Sequence, residues 1–373
     1  MRSLERGRQY ESLDAVVARI AYAYGFTNTP VAIPKKYVNT DSDDERDASL
    51  STALLKTAGN LKNAEGVIES PVSLWGSSKG PKKTSLLSFA ILATKHPIAH
   101  AIVVKAVLAI AERIGFTDLS VSVSSVGDAE SKKRFTRELT VFFKKNNETL
   151  PQEVRHSAIT DPEKAYRALL LSEDPILERA PRRIDYLSES SRKAMLETLS
   201  LFESVEIPYT LESTLPAQEN VHAELLFAVY GTDQKGNRVR IASGGRFDEF
   251  LKESGASTET GVSMSLSVSE RVDVSPVHEE PTCFVVHVGD IAKLRAFSVL
   301  EELWKSNLLV GQALMADTLR KQMDGARDVG AKTVAIIGQR EALDNTVIVR
   351  SLVTQIQTTI PFEKLVSHVN RKR

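Results

Sequence analysis

The sequence has a single cysteine, Cys283, in 373 residues. That excludes an intrachain disulfide framework and a metal cluster held by thiolates. It has no net charge, because 48 Lys and Arg balance 48 Asp and Glu. A neutral chain does not coat nucleic acid through bulk positive charge, which leaves only a local basic patch for such contact. No apolar run approaches the ~18–20 residues needed to cross a bilayer as a helix, so no membrane partner is expected. No apolar stretch follows the charged start Met1-Arg2-Ser3-Leu4-Glu5-Arg6, so the expectation is no signal peptide and a cytoplasmic protein. Internal repeats and low-complexity tracts are also missing. What is present is 42% hydrophobic and 26% charged, the mixture of a folded protein, and the length suggests two or three domains.

Leu13, Val16, Val17, Ile20 and Tyr24 recur at helical spacing and predict a helix over 9–25 that opens the first domain. Phe26 to Ile33 reads as extended, and the charge run Asp41 to Asp47 as a solvated loop. Trp75 to Thr84 contains two glycines, a proline and three lysines, and reads as a loop with Lys82 and Lys83 as candidate phosphate or RNA contacts. Its residue order is not that of a P-loop. His100 to Ile114 predicts a helix, and Leu119 to Val126 a strand. Residues 130–204 read as mostly helical and highly charged. Ala223–Tyr230 and Asn237–Ala242 read as strands joined in a hairpin through Gly231 to Gly236. Asp273 to Pro281 is polar with two prolines and reads as a linker. Beyond it, strands at Cys283–Val288, Thr333–Ile337 and Thr346–Leu352 alternate with helices at Ile291–Ser306, Thr318–Val329 and Phe362–Val369. That order predicts a small α/β domain with a mostly parallel sheet.

Few residues look chemical. In Ala242-Ser243-Gly244-Gly245-Arg246-Phe247-Asp248, two glycines permit close backbone approach, Arg246 offers a fork of donors and Asp248 an acceptor. Two uses stay open: a ligand pocket, or a tight strand junction closed by an internal Arg–Asp pair. His96 and His100 are four apart but lack the H-E-x-x-H order, so no metal site is assigned. Cys283 begins an apolar strand and reads as a buried small hydrophobe.

Leu319-Arg320-Lys321-Gln322-Met323-Asp324-Gly325-Ala326-Arg327-Asp328, then Thr333 to Gly338 and Thr346 to Arg350, resemble the anticodon-binding domain of class II aminoacyl-tRNA synthetases, the histidyl branch most. Upstream, Ser124-Ser125-Val126-Gly127-Asp128, Pro181-Arg182-Arg183-Ile184-Asp185-Tyr186-Leu187 and the Gly244 to Asp248 motif resemble histidyl-tRNA synthetase landmarks in the same order. The resemblance implies an α/β protein with an α+β core. A class II synthetase-like antiparallel-sheet core with helices would occupy 1–274, and an α/β anticodon-binding-like domain 281–373. It makes Gly244, Gly245, Arg246, Phe247 and Asp248 the substrate pocket. Arg320, Lys321 and Arg327 become tRNA contacts, with tRNA and a second copy as partners and no DNA.

The family's catalytic motifs are poorly kept. Class II enzymes stabilise the developing charge on the α-phosphate with motif arginines and magnesium. Where motif 2 belongs, Pro81 to Phe89 has no arginine, and a lysine lacks the planar fork of a guanidinium. Where an R-G-L-D-Y-Y motif belongs, the chain reads Pro216-Ala217-Gln218-Glu219-Asn220-Val221-His222. Motif 3 has its counterpart at Gly261 to Val268, with Arg271 displaced by three residues, nearly one turn if the segment is helical. The resemblance therefore implies a non-catalytic paralogue that binds tRNA or acts as a regulatory or scaffold protein. One alternative is a divergent histidine–tRNA ligase, which would need ATP and magnesium. The other is a regulatory subunit of ATP phosphoribosyltransferase. Residues 281–373 hold thirteen basic against nine acidic side chains, so the neutral total hides a basic C-terminal part and an acidic core.

Overall fold

The computed structural model describes residues 13–29, 51–56, 71–79, 84–217, 221–269, 283–306, 308–316 and 318–371. Two compact units are present. One comprises Thr29–Ala111 and Gly115–Val268, and the other Met1–Asn28, Glu112–Ile114 and Ser269–Arg373.

The first unit is built on a sheet. With the short strand Thr27–Asn28 of the other unit counted as β1, its strands are β2 (Val72–Lys79), β3 (Thr84–Leu92), β4 (Thr117–Gly127), β5 (Tyr209–Leu211), β6 (Ala223–Thr232), β7 (Arg238–Arg246) and β8 (Gly261–Ser269). They lie in the order β2-β3-β8-β7-β6-β4-β5. The β2/β3, β4/β6, β6/β7 and β7/β8 pairs are antiparallel, and β4/β5 is parallel. The expected loop from Trp75 is strand as far as Lys79. Trp75 lies opposite Phe89, and their rings stack at 6.2 Å. Gly76, Ser77 and Ser78 look like loop residues alone, but Ser88, Leu87 and Leu86 opposite supply the packing, so tertiary pairing overrides local preference. Lys82 and Lys83 lie outside the described residues.

The helix Ile98–Arg113 is buried at every position from Ile98 to Ala111, as an apolar-all-round helix must be. A helical layer follows in Ala129–Lys145, Gln152–Thr160, Pro162–Leu171 and Glu189–Ser204. Phe135, Leu139, Phe143, Tyr166 and Leu169 form its core. Asp128, Asp161 and Ser188 cap the Ala129, Pro162 and Glu189 helices through their side chains, which satisfies otherwise orphaned N–H groups.

In the second unit the helix Leu13–Ala23 buries Leu13, Val16, Val17 and Ile20. The Tyr24 hydroxyl donates to Glu301 Oε1 at 2.7 Å, and its ring meets Trp304 edge-on at 6.4 Å. This unit's sheet has strands β9 (Cys283–His287), β10 (Val310–Gln312), β11 (Thr333–Ile337), β12 (Thr346–Ser351) and β13 (Gln357–Pro361), in the order β10-β9-β11-β12-β13. β9 runs parallel to β10 and β11, whereas β12 runs antiparallel to β11 and β13. The sheet is thus mixed, where a mostly parallel one was expected. Only the short helix Gln339–Leu343 separates β11 from β12, and the chain doubles back. Gln322, fully buried, holds the helix Leu319–Asp328 to β9: its Oε1 accepts from His287 N at 2.7 Å, and its Nε2 donates to His287 O at 3.1 Å. Among the described residues no helix is long and apolar enough to cross a membrane.

Gly244 and Gly325 test the packing in opposite directions. A Cβ at Gly244 would collide with the Ser263 carbonyl oxygen and lie 2.6 Å from Met264 Cα. Gly244→Ala is expected to lower the free energy of unfolding by about 1–3 kcal/mol. Gly325 sits inside a helix, and its added carbon would meet only the Phe284 ring, at 3.8 Å. Gly325→Ala is expected to stabilise by about 0.5–1 kcal/mol. Denaturant titration reads both, and equal effects would refute this account of the two contacts.

Candidate functional site

Gly244, Gly245 and Arg246 end β7, and Asp248 begins the short helix Asp248–Glu253. The glycines serve strand approach: side chains there would strike β8 at Ser263 and β6 at Leu225. Arg246 is 4% exposed. Its Nε donates to Asp248 Oδ2 at 3.2 Å and its Nη2 to Asp248 Oδ1 at 3.0 Å. Nη2 also donates to Thr94 O at 3.1 Å, and Asp248 Oδ1 accepts from Gly261 N at 3.0 Å. Phe247 is buried among Leu54, Leu55, Leu74 and Leu92. Of the two uses left open by the sequence, the geometry displays the internal Arg–Asp pair.

Beside this junction lies a cavity of about 510 Å³. His222 and Ala217 form part of its wall, so the stretch in the place of R-G-L-D-Y-Y does reach a cavity. The His222 ring lies 4.8 Å from Phe247. Burial, then Lys132, Arg167 and Arg183, push its pKa down to about 3, so the imidazole is neutral. Lys132 Nζ donates to His222 O at 3.0 Å and pairs with Glu249 Oε2 at 2.6 Å. The Arg183 guanidinium carbon lies 5.0 Å from the centre of the Tyr166 ring and 5.3 Å from that of Phe135. Its charge faces Glu163 at 3.9 Å.

Asp128 caps the helix that carries Lys132. Its carboxylate accepts from Ser131 N at 2.9 Å, Ser131 Oγ at 2.8 Å, Ser188 Oγ at 2.7 Å and Ser190 Oγ at 3.0 Å. Burial alone would raise its pKa, but these donors together hold it well below the usual carboxylate range. Nearby Glu224 is shifted the other way, chiefly by burial. Deeper in the same unit, His100 lies 5.6 Å from Phe227. Burial and then the Arg246 charge lower its pKa to about 3. His96 precedes the helix that starts at Ile98, so the two histidines do not share a helix face.

The structure does not gather the remaining sequence candidates at this site. Arg320, Lys321 and Arg327 are exposed on the helix Leu319–Asp328, and Arg327 pairs with Asp324 at 2.7 Å. Arg271, Lys82, Lys83 and Glu219 lie outside the described residues. Gly261–Ser269 is a strand, so helical-turn spacing does not apply along it. In place of charge it carries buried Ser263 and Ser265, which donate to Phe89 O at 2.8 Å and Ser88 Oγ at 2.9 Å. Sequence reasoning missed Lys132 and Arg167, because cations in a charged helical stretch read as solvated. The only available signal was their helical phase relative to Phe135 and Tyr166.

Comparison with known proteins agrees with the architecture. Residues 282–372 match the family described as the anticodon binding domain. The chain is 25% identical over 296 residues to the histidine–tRNA ligase of Thermosynechococcus vestitus, covering 77% of this chain and 68% of that one. It is 23% identical over 285 residues to the histidine–tRNA ligase of Geobacillus thermodenitrificans, covering 74% and 67%. The crystal structure of apo histidyl-tRNA synthetase from S. aureus aligns over 99% of this chain and 100% of that one, with a TM-score of 0.55 at 20% identity. At that identity the likeness concerns the fold.

His100 and His222 set a pH dependence. Their folded-state values of about 3 lie below the ordinary 6.5. Their neutral forms therefore support the fold above about pH 6.5, and the unfolded chain gains by protonation as pH falls toward 3. Each group contributes a slope of at most about 1.4 kcal/mol per pH unit in that window. Chemical denaturation between pH 7 and 4.5 is expected to show falling stability, with a shallower slope in His100→Leu. An unchanged slope in that variant would refute the assignment.

Proposed function

We infer the role of this chain from the histidyl-tRNA synthetase family, to which it belongs as a distant class II member with an anticodon-binding domain. We propose that it is a non-catalytic paralogue that binds tRNA through that domain and works as a regulatory or scaffold protein, as a homodimer. The observation that carries this reading is the cavity wall formed by Ala217 and His222. The family is expected to place an arginine and two tyrosines in that stretch. A methyl group and a neutral imidazole do not stabilise charge building on a phosphate as a guanidinium does. The engagement of Arg246 with Asp248 and Thr94 supports the same reading. So does the serine lining of β8.

Histidine-dependent exchange of pyrophosphate with ATP is the direct test of catalysis. The expected result is no exchange above background, and exchange that saturates with histidine would identify a divergent ligase. Light scattering at one chain mass would overturn the dimer.

RNA contact is tested by the dependence of tRNA affinity on salt. Each phosphate contact contributes a slope of about −0.7 to −0.9 in log K against log salt. Arg320→Ala, Lys321→Ala and Arg327→Ala together are expected to weaken binding and flatten the slope by about 2–3. Unchanged binding would move the RNA site elsewhere, and no binding by the parent chain would leave a protein-only partner role. Point substitutions serve better than removal of residues 281–373, because removal would uncover the helix Leu13–Ala23 and the Tyr24 ring packed with that unit.

A further inference from the structure

We propose that β13 pairs along its outer edge with β13 of a second copy of this chain, antiparallel about a two-fold axis beside Thr358. The proposal does not rest on RNA binding, on the loss of catalysis or on the homodimer inferred above, because its test reads this strand by itself.

β13 closes one end of its sheet, and no described strand pairs on its far side. Gln357, Thr358, Thr359 and Pro361 are exposed, and Ile356 just before them is 66% exposed. Proteins guard such edges with charge, a bulge or a covering element, since unpaired N–H and C=O groups invite another strand. Here charge is missing: Ser351 to Phe362 has no charged residue in a chain that is 26% charged. Bringing two copies of this segment together therefore opposes no like charges, and a charged partner strand would gain nothing from it.

The register supplies the second argument. Ser351 N donates to Ile356 O at 2.9 Å and Phe362 N to Asn345 O at 3.1 Å, and an antiparallel ladder exchanges such bonds at every second pair. Thr358, opposite Val349, and Ile360, opposite Val347, therefore turn their backbone groups toward β12. Gln357 and Thr359 turn theirs to the outer edge. In a two-fold antiparallel pair, Gln357 of one copy then faces Thr359 of the other, and each such pair exchanges N–H···O=C bonds. Pro361 has no N–H and ends the ladder. The same register sets Thr358 against Thr358 and Ile356 against Ile360. Thr–Thr contacts are favourable across strands, and the Ile–Ile contacts cover apolar surface that a single copy exposes. The strand is thus complementary to itself. β13 has five residues, and an interface so short falls below the ~1,200–2,000 Å² of stable complexes, which makes the association weak.

Sedimentation velocity of the full chain over a concentration series, with amide exchange read residue by residue, tests this. Mass is expected to rise with concentration. Exchange at Gln357 and Thr359 is expected to slow with it, while Thr358 and Ile360, already bonded to β12, do not change. Thr358→Lys sets like charges opposite each other, and Thr359→Pro removes an outward N–H without touching the ladder to β12. Each is expected to weaken the association at least about tenfold. An equal mixture of Thr358→Lys and Thr358→Glu is expected to regain it, which an unfolded variant does not do. The fall in mass is read relative to the parent chain, so a homodimer formed elsewhere on the surface leaves the test unchanged. Thermal melts confirm folding, and the Thr358 pair of variants carries the test if Thr359→Pro does not fold. Exchange at Gln357 and Thr359 that ignores concentration, association insensitive to these substitutions, or no regain on mixing would overturn the proposal.

Discussion

A buried guanidinium has to be paired, and Arg246 is paired with both oxygens of Asp248. Much of the first unit is arranged around that fork. Asp248 also accepts from the Gly261 N–H at the start of β8, and Arg246 also donates to the Thr94 carbonyl just past β3. One ion pair therefore fixes the ends of three neighbouring strands. Pairing at this depth is weak evidence for net stability, since desolvation offsets much of the attraction. Its value is geometric: with the ends fixed, Gly244 and Gly245 must lie against β8 and β6. Its positive charge also reaches His100, adding to the burial that chiefly keeps that ring neutral.

A second acid plays a comparable part in the helical layer. Asp128 caps the helix Ala129–Lys145 and receives the hydroxyls of Ser188 and Ser190 at the start of Glu189–Ser204. Two helix N-termini thus share one carboxylate, which suits the partial positive charge at each. Lys132 lies one turn into the first helix, and its ammonium reaches both the His222 carbonyl and Glu249. The position of a cation in the cavity is thus set by a capping residue four positions earlier. The cavity wall that Lys132 joins also carries Lys164, Arg167 and Arg183, each from another helical segment of the chain than the Ala129–Lys145 helix.

Much of this was readable in the sequence where local signals were strong. Thr333–Ile337 is a strand with the predicted bounds, because a short apolar run between helices has few alternatives. The family likeness and the two-part fold were legible too, carried by motifs such as Gly244 to Asp248. β13 escaped notice because Gln357, Thr358 and Thr359 are exposed and show no apolar alternation. The extent of β2 escaped because its small residues are packed by residues on another strand. The cavity was illegible for a related reason. Its cations come from three separated helical segments, and their convergence depends on the Phe135–Tyr166 core rather than on any spacing along the chain.

The bond between Tyr24 and Glu301 joins residues 277 positions apart. Both partners are buried, and the helix before Tyr24 belongs to the same compact unit as the C-terminal sheet. A chain made from its N-terminus therefore holds the first helix of this unit without its docking surface while the whole of the other unit emerges. Closing so long a loop is slow, and apolar faces left waiting are prone to wrong contacts. The sheet-based unit can fold during synthesis from residues already present, whereas the two-ended unit is completed only when Glu301 and Trp304 arrive. The order of assembly is thus written into the topology: the unit that begins first along the chain finishes last.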